Sequence, residues 1–292
     1  MFPASPLVAV WIATLLASLA RSDGTPPQAG SPLGRPSDGS RLVQVSLLAD
    51  RSAVRAGETF HLGVRLRVEP EWHVYWENPG DAGLPTEVVF GAPPGFEVGA
   101  LRFPPPTRHD DEGDIVSFVH EGEVLLLADV RAPQVLEPGV KLKFTADASW
   151  LVCKTICLPG KGSATLELAG AAQSTPANEP LFATALARLP VKWAALLGDK
   201  VQPVVQIAAD KHTFTVTIAV PGANTLEFFP APSKDSQLSF RKVVTTRAGA
   251  TIELGFTQLA SSPNFDYRGV LVIGDSKGSR SCLQERWSPE TR

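Results

Sequence analysis

From Phe60 to Val68 the chain reads Phe-His-Leu-Gly-Val-Arg-Leu-Arg-Val, with an apolar residue at every second position. Only an extended strand alternates its side chains this way, so Phe60, Leu62, Val64, Leu66 and Val68 share a face that needs a second layer to cover it. Strand character returns at Leu42 to Val45, Glu87 to Phe90, Ser117 to Val119, Val124 to Val130, Lys141 to Ala146 and Ala164 to Leu168. Turn formers separate these runs, at Asn78-Pro-Gly80, Ala92-Pro-Pro-Gly95 and Glu137-Pro-Gly139. They belong to a load of 26 Pro and 24 Gly, which favours strands and turns over a helical bundle. The spacing predicts an all-β chain whose first domain, residues 42–170, is a sandwich.

Between residues 171 and 200 the pattern changes. Pro180 to Pro190 and then Val191 to Leu197 read as a helical connector broken at Pro190. Strand runs resume at Val204 to Ala208, Thr213 to Val220, Thr225 to Phe229, Leu238 to Thr245, Thr251 to Phe256 and Gly269 to Ile273, predicting a second, smaller β-sandwich-like domain over 201–292. Thr59 to Pro70 and Thr213 to Pro221 each run a strand into a proline, the pattern of a duplicated sandwich.

Residues 1–20 carry no charged side chain, and the apolar run Leu7 to Ala20 ends on small residues at Ser18 and Ala20. This predicts an export signal cleaved after Ala20. An uncleaved anchor is the alternative, disfavoured because the run falls short of the ~20 residues that span a bilayer. Residues 21–41, dense in Pro, Gly and Ser, read as a linker. With 27 Lys and Arg against 30 Asp and Glu, the chain has no basic field for nucleic acid.

Export into an oxidising compartment makes the three cysteines, Cys153, Cys157 and Cys282, informative. Trp150-Leu-Val-Cys-Lys-Thr-Ile-Cys-Leu-Pro159 sets two of them three residues apart, a hairpin-loop length that lets them face one another across a strand pair. Closing about five residues stabilises a chain by only about 2 kcal/mol, so a bond here is a weak staple, and a redox role gains from that. A permanent local disulfide remains the structural alternative. A zinc or copper site on the two thiolates is a further one, but His61, His73, His109, His120 and His212 show no paired ligand spacing, and neither a resident metal nor another cofactor is predicted. The pair is not the Cys-x-x-Cys of a thioredoxin helix, because its context is β. Cys282 is left odd, read as an inert thiol or an intermolecular partner. Asp110, Asp111, Glu112 and Asp114 form an acidic loop, read as a solvated turn.

Four segments carry a family resemblance: Glu71-Trp-His-Val-Tyr-Trp76 with Asn78-Pro-Gly80; Leu101-Arg-Phe-Pro-Pro105; His120-Glu-Gly-Glu-Val-Leu-Leu-Leu127; and Ser149 to Pro159 with its two cysteines. Together, over Leu42 to Leu168, the chain resembles the N-terminal periplasmic domain of DsbD-type thiol:disulfide interchange proteins. Within them it is most similar to the ScsB-like branch associated with suppression of copper sensitivity. The resemblance implies an immunoglobulin-like sandwich in the periplasm. It implies a domain that takes reducing equivalents from a membrane-embedded or thioredoxin-like donor and passes them to oxidised periplasmic thiol proteins through a mixed disulfide. By position it makes Cys157 the attacking thiol and Cys153 the resolving one. Trp72, His73, Tyr75 and Trp150 would flank the pair. Asp111 to Phe118 would form the shielding loop, with Phe118 standing in for the family's aromatic shield. No later apolar run spans a bilayer, so the electrons are expected from a separate protein. A non-catalytic periplasmic binding module with a structural disulfide, or a copper-binding protein of copper tolerance, is the alternative.

Overall fold

The 153–157 hairpin is the longest among the described residues. Strand Lys141–Cys153 pairs antiparallel with Cys157–Gly170 along its whole length, Lys141 opposite Ala169 and Cys153 opposite Cys157. The computed structural model describes residues 38–111, 113, 115–198, 201–208, 212–259, 267–275 and 278–284. The expected signal segment, its cleavage point after Ala20 and most of the linker lie outside the described residues.

The hairpin belongs to an eight-stranded sheet ordered Thr175–Pro176, Arg51–Val54, Cys157–Gly170, Lys141–Cys153, His73–Gly80, Val116–Glu121 and Thr107–Asp110, with Glu87–Gly91 also paired to Lys141–Cys153. Facing it is a four-stranded sheet, Val43–Ala49, Thr59–Val68, Glu123–Arg131 and Glu97–Val98. The alternation along Thr59–Val68 does what the sequence predicts: Phe60, Leu62, Val64 and Leu66 are fully buried. They meet Leu142, Phe144, Ala146, Ala148, Trp150 and Val152, the inward set of the long hairpin strand, in one core. Phe60 and Phe144 meet edge to face at 5.9 Å. Each such side chain taken out of water contributes about 1.5–3 kcal/mol, so the long hairpin is fixed in register by its inner face. At Cys153 the alternation breaks: a buried residue lies on the other face, the one that carries the site.

After the first sandwich, helix Glu179–Arg188 starts at Asn178, held in the left-handed region at φ 53°, with proline in its first turn. It seats Phe182 against Leu125, Leu127 and Leu189. The connector is not wholly helical. Pro190 stops the helix, and Val191–Lys192 runs extended, pairing parallel with Cys282 and Leu283, before the short helix Trp193–Leu197. The second lobe is two four-stranded sheets. One is ordered Val191–Lys192, Gly278–Gln284, Gly269–Asp275 and Thr225–Pro230; the other Val204–Ile207, Thr213–Pro221, Gly249–Gln258 and Ser236–Thr246. Its core gathers Phe214, Ile218, Ile252, Leu254, Phe256 and Leu271. Thr59–Val68 and Thr213–Pro221 hold the same place, second in a four-stranded antiparallel sheet beside a preceding edge strand.

Asn78-Pro-Gly80, read from sequence as a turn, lies inside strand His73–Gly80 at a bulge between Tyr75 and Gly80. The Asn78 side chain carries the irregularity: its Oδ1 accepts from the Gly80 N–H at 3.0 Å, and its Nδ2 donates to the Pro230 carbonyl at 2.8 Å. Next to it Phe229 of the second lobe enters the first core, 6.1 Å from Trp76 and 5.2 Å from Phe118.

Candidate active site

Cys153 and Cys157 form a disulfide with Cα atoms 4.1 Å apart, closed by the three-residue loop Lys154 to Ile156. The two cysteine residues are unequally exposed. Cys153 is 3 % exposed, whereas Cys157 is open to solvent. Register builds the surroundings: Cys153 lies opposite His73, His73 opposite Glu121, and Tyr75 opposite Val119, which sets these residues on one face of the sheet.

Tyr75 is the side chain that touches the bond. Its hydroxyl donates to Cys153 Sγ at 3.2 Å and lies 3.9 Å from Cys157 Sγ. Burial, and then the Asp111 carboxylate, push the phenol above its ordinary range, so the ring keeps its proton as a donor. Its backbone carbonyl accepts from Thr86 Oγ1 at 2.7 Å, and the ring lies so close over Gly83, at φ 102°, that a Cβ there would collide with it. A hydrogen bond to sulfur favours the thiolate, so Tyr75 makes Cys153 the better leaving group.

His73 is 5 % exposed, with its ring edge to face with Tyr75 at 5.5 Å and tilted against His109 at 5.1 Å. Burial first, then the His109 charge, lower its pKa against the opposing pull of Asp111 and Glu121. His109 Nδ1 lies 3.1 Å from Asp111, whose other oxygen accepts from Ser117 Oγ at 3.0 Å. On the loop side Lys154 pairs with Glu71 at 2.6 Å, an exposed contact worth little stability.

Of the flanking residues read from sequence, the structure brings His73 and Tyr75 to the disulfide. Trp72 packs half-buried against the main core, and Trp150 lies on the core face of its strand, its Nε1 donating to the Gly39 carbonyl at 3.4 Å. Phe118 is a correction: it packs inward on Trp76 and Phe229 instead of shielding the bond. One residue of strand phase decides this, because Ser117 and Val119 take the site face and Phe118 takes the other. The acidic loop does reach the site, through Asp111. Asp111 and Ser117 belong to the segment read as the shielding loop, whereas His109 and Val119 were missed; the signal for them was the His-Asp-Asp run and its two-residue alternation with the following strand. Cys282 lies in the second lobe, its backbone opposite Leu271 and Val191. Among the described residues no group of three or more His, Cys, Asp or Glu is placed to hold a metal ion. None of their helices is long and apolar enough to cross a membrane.

A two-layer immunoglobulin-like sandwich carrying a disulfide with one buried and one open cysteine at the tip of its long hairpin is a domain of the thiol:disulfide interchange class. The comparisons point the same way. Residues 44–169 match the family model of the thiol:disulfide interchange protein DsbD, N-terminal, so the first lobe is similar to that domain. The N-terminal periplasmic domain of ScsB from Proteus mirabilis superposes with a TM-score of 0.59 at 16 % identity, covering 86 % of this chain and 95 % of that one. That span reaches well beyond the first lobe, so the two-lobed fold is shared. The reduced N-terminal domain of Neisseria meningitidis DsbD gives a TM-score of 0.29 at 18 % identity, covering 48 % and 94 %. No curated protein matches the chain in sequence.

Proposed function

We propose that Cys153 and Cys157 cycle between disulfide and dithiol as a relay in the periplasm. A membrane-embedded or thioredoxin-like donor supplies the reducing equivalents and oxidised exported proteins receive them. In this reading residues 1–20 direct export and are cleaved after Ala20, 42–170 are the redox domain, 171–200 the connector and 201–292 the second β domain.

The observation that carries the reading is the unequal exposure of the two cysteines. A donor thiolate attacks open Cys157 Sγ; the bond between the two sulfurs breaks, and Cys153 leaves as a thiolate under the Tyr75 hydroxyl. The donor's second thiol then displaces the mixed disulfide, leaving the donor oxidised and this pair as the dithiol. In the forward transfer the Cys157 thiolate attacks a substrate disulfide and one substrate sulfur leaves. Cys153 then attacks Cys157 Sγ, releasing the substrate's second thiol and restoring the bond.

The test is a trap in a Cys282→Ser background. Cys153→Ala leaves Cys157 without its resolving thiol, so a mixed disulfide with the partner should accumulate in periplasmic extract and vanish with reductant. Cys157→Ala should trap nothing. Equal trapping by both variants, or by neither, contradicts the assignment.

A further inference from the structure

Glu71 holds a backbone conformation that its side chain does not favour. It stands third in the turn Glu69-Pro-Glu-Trp72, which the Trp72 N–H closes on the Glu69 carbonyl at 3.0 Å, and its φ is 67°. A turn with positive φ at that place asks for glycine or asparagine, because the left-handed region is strained for any other side chain. Among the described residues the only other non-glycine with positive φ is Asn178. In exchange Glu71 makes one contact. Its carboxylate accepts from Lys154 Nζ at 2.6 Å, and that hydrogen bond, then the Lys154 charge, hold its pKa below the usual carboxylate range. The Glu71 side chain is 75 % exposed and that of Lys154 39 %, so the pair does not offset the strain. Strain that stability does not explain points to function.

Lys154 is where that function would act. It follows Cys153 directly, one step of about 3.8 Å between Cα atoms. The Cα atoms of Cys153 and Cys157 are 4.1 Å apart, so the Lys154 Cα lies within about 8 Å of that of Cys157. A four-carbon stem reaches across that gap. The two thiolates of the exchange cycle are served differently. Cys153, when it leaves, has the Tyr75 hydroxyl, which donates to it at 3.2 Å; Cys157 lies 3.9 Å from the same oxygen and becomes a thiolate in turn when the donor's second thiol displaces it. No other group of this face supplies it with a full charge of opposite sign. In strand order the row runs Cys157, Cys153, His73, Glu121, which puts Glu121 about 14 Å from Cys157 at about 4.8 Å per strand. Burial lowers the His73 pKa, and His109 pairs with Asp111.

We propose that Lys154 is the counter-ion of the Cys157 thiolate in the reduced pair, and that Glu71 is a positioning residue that holds the Lys154 ammonium back from it. Carboxylate and thiolate compete for one cation, so Cys157 keeps a larger protonated fraction than a thiol beside a free lysine would. That restraint limits how readily the open sulfur attacks disulfides or is oxidised. The inference rests on the exchange reading above.

Two measurements test this in the full chain with Cys282→Ser. The first adds Cys153→Ala, so that Cys157 is the one thiol left to titrate, and reads its pKa by pH-dependent alkylation. Glu71→Gln should lower that pKa by about half a unit, about threefold in thiolate at neutral pH, and Lys154→Met should raise it by as much. With Lys154→Met already in place, Glu71→Gln should shift it by less than about 0.2 unit, because Glu71 acts through Lys154. Glu71→Gly, the residue this turn prefers, should fold as the wild type does and show the same fall as Glu71→Gln. The second measurement keeps both cysteines and follows the equilibrium of the pair with thioredoxin and glutathione, so it reports even where Cys153→Ala fails to fold. At pH 9, where the thiolate is populated, Glu71→Gln should favour the reduced pair about twofold to threefold, about 9–14 mV for a two-electron couple, and at pH 6 the midpoints should coincide. An unchanged pKa in Glu71→Gln or Lys154→Met overturns the proposal, as does a Glu71→Gly that titrates like the wild type. So does an equal Glu71→Gln shift with and without Lys154, which is a field that needs no lysine, or a midpoint difference that is the same at both pH values. A pair that thioredoxin and glutathione reduce at neither pH, in wild type or variant, overturns the exchange reading itself and the role of Glu71 with it.

Discussion

Tyr75 donates to the buried sulfur of the pair at 3.2 Å, and burial keeps the proton on its ring. Tyr75→Phe keeps the packing and removes the donor. The Cys153 thiol pKa should then rise by about one unit, with far-UV circular dichroism unchanged and exchange slowed about tenfold; pH-dependent alkylation reads the first and a stopped-flow assay the last. His120 makes a second prediction at the same scale. The unfolded chain protonates this ring near pH 6.5, whereas the folded protein resists protonation until about 4. Below pH 6.5 the unfolded state therefore binds more protons. The ring's contribution to stability is complete above that pH and is lost as pH falls toward 4, by up to about 3 kcal/mol. His73, lowered by burial, acts in the same direction. Urea midpoints at pH 7, 5.5 and 4.5 should fall steeply in the wild type and less steeply in His120→Phe.

Among the elements, the hairpin that carries the disulfide is held by its inner face more than by the bond. Its inward residues from Leu142 to Val152 are buried in the main core, while the bond closes a loop worth only about 2 kcal/mol. Reduction should therefore lower unfolding stability by about that much or less and leave the fold intact, measured by denaturant unfolding with and without reductant. Loss of the fold on reduction would make the bond a staple. The same contrast explains what the sequence made legible. Thr59–Val68 and Thr213–Pro221 declared themselves because one face of each is buried, which forces a two-residue period, and Glu123–Arg131 did so as an unbroken apolar run because both of its faces are covered. Arg51–Val54 and Thr107–Asp110 did not, because they are short and polar and are held by backbone pairing at or near a sheet edge. His73–Gly80 was hidden by Asn78-Pro-Gly80, whose side-chain bonds make a bulge where composition alone reads a turn. At the site, the cysteines, His73 and Tyr75 were legible from one motif order. Phe118 was misplaced because strand phase is set by the partner strand, and His109 was missed because it arrives from a hairpin distant in sequence from the cysteines.

At the scale of the whole molecule, the two lobes meet at Phe229, which is 3 % exposed and packs on Trp76 and Phe118 of the first core. Phe229→Ala should cost about 3–5 kcal/mol and uncouple the lobes. Calorimetry should then show two unfolding transitions where the wild type shows one. A single undiminished transition in the variant would mean the seam does not couple them. The central claim, that the pair is an electron carrier and not a clip, is tested most directly by a thioredoxin and glutathione redox titration of the chain with Cys282→Ser, following Cys153 and Cys157 by alkylation and mass spectrometry. The account predicts a midpoint in the exchangeable range, about −270 to −180 mV. A pair that stays oxidised well below about −300 mV would contradict it and leave a structural disulfide.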